Sequence, residues 1–186
     1  MKEQFITIFK ENITRCGSDA LLDWICNRSD FFTAPASSRF HGAYKGGLVE
    51  HSLNVYNRLK TLAEGKYSNE TIAIVSMLHD LCKANYYTIE MRNKKNEHGV
   101  WEQVPFYTVS ERFPFGHGEK SAYIASEFIH LTAEESTAIR WHMGGFDSAV
   151  RGGDNSLSTA WEKYPLGMLL HCADLQATYI DESRGN

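Results

Sequence analysis

The stretch IVSMLHDLCK, residues 74–83, begins as a hydrophobic core segment and closes on His79, Asp80 and, three residues later, Lys83. Three more ligand-type residues fall on positions that an apolar stripe assigns to the interior. His51 lies three residues after Leu48 and four before Val55, His142 three after Ile139 and four after Ala138, and Asp174 four after Leu170 and three before Ala177. At helical spacing each shares a face with its apolar neighbours. An unpartnered carboxylate on such a face costs several kcal/mol. Two buried acids and several buried imidazoles offset that cost by binding a divalent metal. Imidazole and carboxylate donors without thiolate suit Fe, Mn, Co, Ni or Zn. Adjacent helical residues point about 100° apart. Near a helix end, however, His79 and Asp80 can both reach one ion, or Asp80 can bridge two.

Helices must carry these residues. SDALLDWICNR opens on Ser18, a candidate N-cap, and the stretch from Leu48 holds Leu48, Val55, Leu59 and Leu62 on one stripe. NETIAIVSMLHDLCK is apolar nearly all round, as a central helix is. TAEESTAIRWHM begins with Thr132 and Glu135 at capping-box spacing. PLGMLLHCADLQATYI admits Pro165 in its first turn, where the missing N–H costs little. The rhythm changes at residues 86–109. Tyr87, Ile89 and Met91 alternate with Tyr86, Thr88 and Glu90, a polar turn follows at Asn96 and Gly99, and Val100–Val109 is again β-prone. This predicts a small β-hairpin inserted between helices. The loop FFTAPASSRFHGAYKGG is long enough to be functional. The expected fold is all-α, a helical bundle with that hairpin, in one domain over 1–186: an N-terminal helical extension and loop (1–40) and a core (41–182).

The 186 residues suffice for one domain with a real core, and 42% hydrophobic and 23% charged residues are ordinary for a soluble protein. The net charge of -4 argues against a general polyanion-binding surface, while leaving room for arginines and lysines to cluster locally. The N-terminus reads as neither signal peptide nor anchor, and no run reaches the roughly 20 apolar residues of a membrane span. The four cysteines have no C-x-x-C spacing, so free thiols in a cytoplasmic setting are expected. Cys82 and Cys172 read as small packing groups, and His98 and His130 as surface residues.

GGLVEHSLNV, MLHDLCK and LLHCADLQA, taken in order, resemble the HD-domain metal-dependent phosphohydrolases, with their H…HD…D signature, over about residues 41–180. FHGAYKGGLVEHS is similar to the HD module of a bacterial 3′–5′ exoribonuclease, whose additional OB-type domain these 186 residues are not expected to have room for. The resemblance implies an all-helical HD domain in which His51, His79, Asp80 and Asp174 hold one metal. By the same resemblance His117, in FPFGHGEKS, and His142, in IRWHMGGF, match the positions that bind a second ion in two-metal members. Some such members have consecutive histidines near the latter position; here the pair reads His142–Met143.

That likeness implies a metal-dependent phosphohydrolase with one or two ions, acting on a nucleotide or a short nucleic-acid phosphoester. Asp80 would orient the attacking hydroxide. Lys83, one helical turn from the pair, would neutralise phosphoryl charge, or else sit solvated at the helix end. Arg140 suits a phosphate contact or an exposed ion pair, His171 a substrate contact, ligand support or packing, and His41 the pocket mouth. A 5′-nucleotidase-like monoesterase, a non-catalytic metal-containing sensor and an HD-type diiron oxygenase remain open as alternatives. Nothing in the residues sets an oligomeric state.

Overall fold

Apolar side chains spaced three and four apart drive helix formation through most of the chain, and the computed structural model describes residues 1–182. The helices are α1 (Lys2–Asn12), α2 (Ser18–Asp23), α3 (Gly47–Leu62), α4 (Asn69–Leu78), α5 (His117–Ser126), α6 (Ala133–Arg140), α7 (Ser148–Arg151), α8 (Ser156–Lys163) and α9 (Leu166–Gln176). The hairpin strands β1 (Tyr87–Lys95) and β2 (Trp101–Val109) separate α4 from α5. The expected all-α bundle with an inserted hairpin is what forms.

Helix α4 is the axis. Every residue from Ile72 to Leu78 is buried, which explains a sequence that is apolar all round. Around it pack α3, α6, α5 and α1, and α9 closes the layer against α3 and α6. Leu48, Val55 and Leu59 are fully buried on α3, so its stripe points inward and takes His51 with it. Phe5, Phe9, Leu21, Ile25 and Phe31 lie in the same hydrophobic cluster as α4, so the N-terminal segment packs onto the core that holds the site.

Two helix starts differ from expectation. Ser18 is the first residue of α2, and the cap position is Gly17 at φ 91°. A Cβ there would lie 1.9 Å from the Phe128 carbonyl oxygen, so close backbone approach selects glycine. Pro165 precedes α9 at its cap position instead of lying inside its first turn.

At α6 the capping box forms as expected between Thr132 and Glu135. The Glu135 carboxylate also accepts two bonds from the Arg15 guanidinium, at 2.6 and 2.7 Å, and one from the Thr71 hydroxyl at 2.9 Å. One fully buried acid therefore ties the α1–α2 connection to the starts of α4 and α6. Burial alone would raise its pKa; the bonds from Arg15, Thr132 and Thr71 outweigh that and lower it. A lowered folded pKa means this stability is present above the unfolded value, about 4.3, and is lost as pH falls below it. Glu135→Ala takes from Arg15 its buried carboxylate, leaving only Glu70 at 3.4 Å, and removes the Glu135 half of the α6 capping box. The expected loss is about 3 kcal/mol, a fall in Tm of about 6–12 °C. A calorimetric Tm within two degrees of wild type would show that the network carries no weight.

The hairpin is antiparallel, with Tyr87 opposite Val109 and Lys95 opposite Trp101. Asn96 closes its turn by accepting from the His98 and Val100 amides, both at 3.0 Å. Ile89, Met91 and Trp101 stay exposed.

Candidate metal centre

Helix α4 ends at Leu78. His79 follows, Asp80 takes a non-helical backbone (φ -110°, ψ 21°), and a 3-10 turn covers Leu81–Lys83. The expected helix therefore stops short of HDLCK, because the chain unwinds at Asp80. That unwinding removes the angular separation of neighbouring helical residues and aims both side chains at one point.

Three histidines meet there from α3, the end of α4 and the turn after α6, each anchored through Nδ1. His51 Nδ1 donates to Glu182 at 2.9 Å, His79 Nδ1 to the Ser76 carbonyl at 2.7 Å, and His142 Nδ1 to the Ile139 carbonyl at 2.7 Å. Fixing the proton on Nδ1 turns the Nε2 lone pair inward, as metal-binding histidines require. His51 Nε2 lies 3.2 Å from His79 Nε2, 3.2 Å from Asp174 Oδ1 and 3.5 Å from Asp80 Oδ2. Donor atoms about 2.1 Å from a common ion are roughly 3.0–3.4 Å apart in octahedral or tetrahedral arrangement. The spacing thus fits coordination.

Asp80 faces two ways. Its Oδ2 lies 3.5 Å from His51 and 3.4 Å from His79, while its Oδ1 lies 2.8 Å from His117 Nε2 and 3.6 Å from His142 Nε2. The buried His142 Nε2 has no hydrogen-bond partner among the described residues. An orphaned imidazole lone pair aimed at a carboxylate oxygen is costly unless a cation joins them. The clustered donors are compatible with a divalent metal: His51 groups with His79 and Asp174, His79 with Asp80 and His142, and Asp80 with Cys82 and His117.

Electrostatics agree with that assembly. Burial works against the charged forms of both aspartates, yet Lys83 and His79 hold Asp80 well below the usual range, and His51 does the same for Asp174. Burial also opposes charge on His51, but its bonds to Asp174 and Glu182 raise it to about 10. A metal on His51 Nε2 must displace that proton. At pH 8, binding is expected to release about one proton and to tighten as pH rises toward 10, up to about tenfold per unit. Calorimetry in two buffers of different ionisation enthalpy reads the release directly; identical heats in both would contradict it. Cys82 packs 3.4 Å from His117 and shares a potential ligand group with it and Asp80, and burial pushes its thiol up to about 12.

A pocket of about 490 Å³ opens over this centre, lined by Asp80, Lys83, His117, Asp174, His41 and His171 among others. Lys83 Nζ lies 2.6 Å from Asp80 Oδ2, so it faces the site and is not a solvated helix-end lysine. His41 stacks near His51, centroids 5.0 Å apart, and burial drives its pKa down to about 4, leaving it neutral. The loop reaches that position because Gly42 and Gly47 touch backbone to backbone: a Cβ on Gly47 would lie 2.0 Å from the Gly42 carbonyl oxygen. His171 donates through Nδ1 to the His142 carbonyl at 2.7 Å and lines the pocket.

Arg140 is placed elsewhere. Its guanidinium pairs with Glu119 and Asp147 and lies 3.9 Å above the Trp141 ring, and it does not line the pocket. Of its two sequence readings, the ion pair is the one that forms. His98 and His130 are exposed, as expected.

Glu182 was not among the sequence candidates. It lies within a polar, charged ending that carries no local signal, although Asn54, one turn after His51, also donates to it at 3.2 Å. Arg151, Tyr87 and Phe146 on the pocket wall were likewise unmarked.

A family model described as HD domain matches residues 48–178, a span that includes all six candidate ligands. No curated protein and no solved structure matches the chain.

Proposed function

The chain belongs to the HD-domain family, whose members are generally metal-dependent hydrolases, and from that premise we propose that it is a phosphohydrolase acting on a nucleotide or nucleic-acid phosphoester. The observation that carries the proposal is the two-sided Asp80 carboxylate at the floor of a pocket that Lys83 also lines. His51, His79, Asp80 and Asp174 would hold one divalent ion of the Fe, Mn, Co, Ni or Zn type, with His117, His142 and the other Asp80 oxygen available to a second. Bound there, such ions supply Lewis acidity and lower the pKa of water.

The chain's own residues supply the rest. Lys83, kept cationic by Asp80, offers its charge to phosphoryl oxygens. Neutral His41 can donate or accept a hydrogen bond at the pocket wall, and His171 holds the His142 segment in place. Arg151 and the rings of Phe40, Tyr87 and Phe146 surround the opening, a mixture that suits a phosphate carrying a flat base. No described helix is long and apolar enough to cross a membrane, in keeping with a substrate met in water.

The test is metal analysis of untagged protein followed by assays with p-nitrophenyl phosphate, bis-p-nitrophenyl phosphate and a nucleotide panel. Two ions per chain and turnover of at least one ester are expected. His117→Ala and His142→Ala should each lower the ratio toward one while leaving the first ion bound. One ion per replete wild-type chain would reject the two-metal form. Replete protein that hydrolyses no ester would reject the phosphohydrolase reading in favour of a sensor, and a mixed-valent diiron signal would favour an oxygenase.

A further inference from the structure

We propose that the inserted hairpin and the loop before α3 form a second subsite, contiguous with the metal pocket, that binds the neighbouring nucleotide of a single-stranded nucleic acid; this rests on reading the metal pocket as a phosphoester site. A hollow of about 340 Å³ lies between that loop and the hairpin, lined by Arg39, Ile89, Arg92, Phe106 and Tyr107 among others. Ser38 lines both this hollow and the metal pocket, and Tyr87, two residues before Ile89 on β1, lines the metal pocket. A chain leaving the metal pocket past Ser38 therefore enters the hollow directly. Both spaces are of single-nucleotide scale, at the lower end of the range for ligand pockets.

The lining has the chemistry of a single strand's backbone and bases. Arg39 and Arg92 are exposed, and among the described residues neither has a carboxylate within ion-pair distance. The Arg92 guanidinium lies 5.2 Å from the Phe106 ring centre and that of Arg39 lies 5.0 Å from Phe40. Single-stranded nucleic acid is held by cations along its phosphates and by flat surfaces, aromatic rings or guanidinium planes, on which bases stack. An acidic peptide would meet the arginines but leave the rings without a stacking partner. Because the whole chain carries a net charge of -4, the attraction is local. About two phosphates are engaged here, and the logarithmic salt slope from them is roughly -1.4.

The test uses the full metal-loaded chain and a fluorescein-labelled, phosphorothioate-linked single-stranded hexanucleotide, followed by anisotropy across a salt series. Arg39→Ala and Arg92→Ala should each weaken binding about fivefold or more and flatten the slope by about 0.7. Phe106→Leu should weaken binding without changing the slope. All three should hydrolyse bis-p-nitrophenyl phosphate like wild type, since that ester reaches only the metal pocket. Hexanucleotide binding that ignores all three changes overturns the proposal. So does a parallel loss of small-ester hydrolysis, which would make the hairpin a support for the metal pocket, and so does hexaglutamate competing as well as the nucleotide. Arginine-dependent hexanucleotide binding by a wild-type protein that hydrolyses no ester would sustain the subsite and reject only the phosphohydrolase reading.

Discussion

Replacing His79 by alanine is expected to strip most of the bound metal and to lower hydrolysis by at least about 10³-fold, roughly 4 kcal/mol of barrier. The side chain is fully buried, its Nδ1 is committed to the Ser76 carbonyl, and its Nε2 sits 3.2 Å from that of His51 and 3.4 Å from Asp80. Removing it takes away an inward-facing donor and leaves the Ser76 carbonyl without that bond. Asp80→Asn should have a comparable effect on activity by another route, because it takes the charge from the group that faces both donor sets and leaves the partly buried Lys83 without its anion. A metal bound only by the native state stabilises it by mass action, about 2.7 kcal/mol at a hundredfold excess over Kd. Metal addition should therefore raise Tm strongly in wild type and little in either variant. Metal content by mass spectrometry, Tm with and without metal, and turnover belong on one preparation. A variant with full metal content and normal turnover would remove His79 and Asp80 from the site.

Lys83→Met is expected to keep the fold and the metal while lowering kcat by about 10²-fold or more, some 2.7 kcal/mol of barrier. The ammonium lines the pocket and contacts Asp80 Oδ2 at 2.6 Å, so it stands next to the group proposed to bind metal. Burial opposes its charge, but Asp80 more than compensates and raises its pKa, so it stays cationic across the range in which the enzyme would work. A fixed charge beside the transferring phosphoryl group acts chiefly in the transition state. KM should therefore move less than kcat. Methionine retains the unbranched stem, which limits any packing loss. If metal content falls together with kcat, Lys83 acts as the counter-ion that organises Asp80. If metal, Tm and kcat all stay at wild-type values, the charge that assists the reaction comes from elsewhere, with Arg151 the guanidinium that lines the same pocket.

His51, His79, Asp80, His142 and Asp174 stood out in the chain because burying a histidine or an aspartate on an apolar stripe is costly, and helical spacing exposes that cost within seven or eight residues, whereas His117 followed only from the family resemblance. His51 beside Leu48 and Val55, and Asp174 beside Leu170, announce themselves in this way. The Thr132–Glu135 cap and the alternation at Tyr87, Ile89 and Met91 are equally local, and both form as read. What stayed hidden depends on where distant elements cross. Glu182 anchors His51 across 131 residues of chain, and the Arg15–Glu135 bond spans 120. Neither leaves a local pattern, since an exposed ion pair and a buried one have the same letters. The same holds for Arg140, which nearby Asp147 and Glu119 draw into ion pairs away from the pocket. Local periodicity decides which face of a helix turns inward. Only the packing of α3, the end of α4 and α9 decides that His51, His79, Asp80 and Asp174 meet within coordination distance, and that Asp80 presents one oxygen to each set of donors.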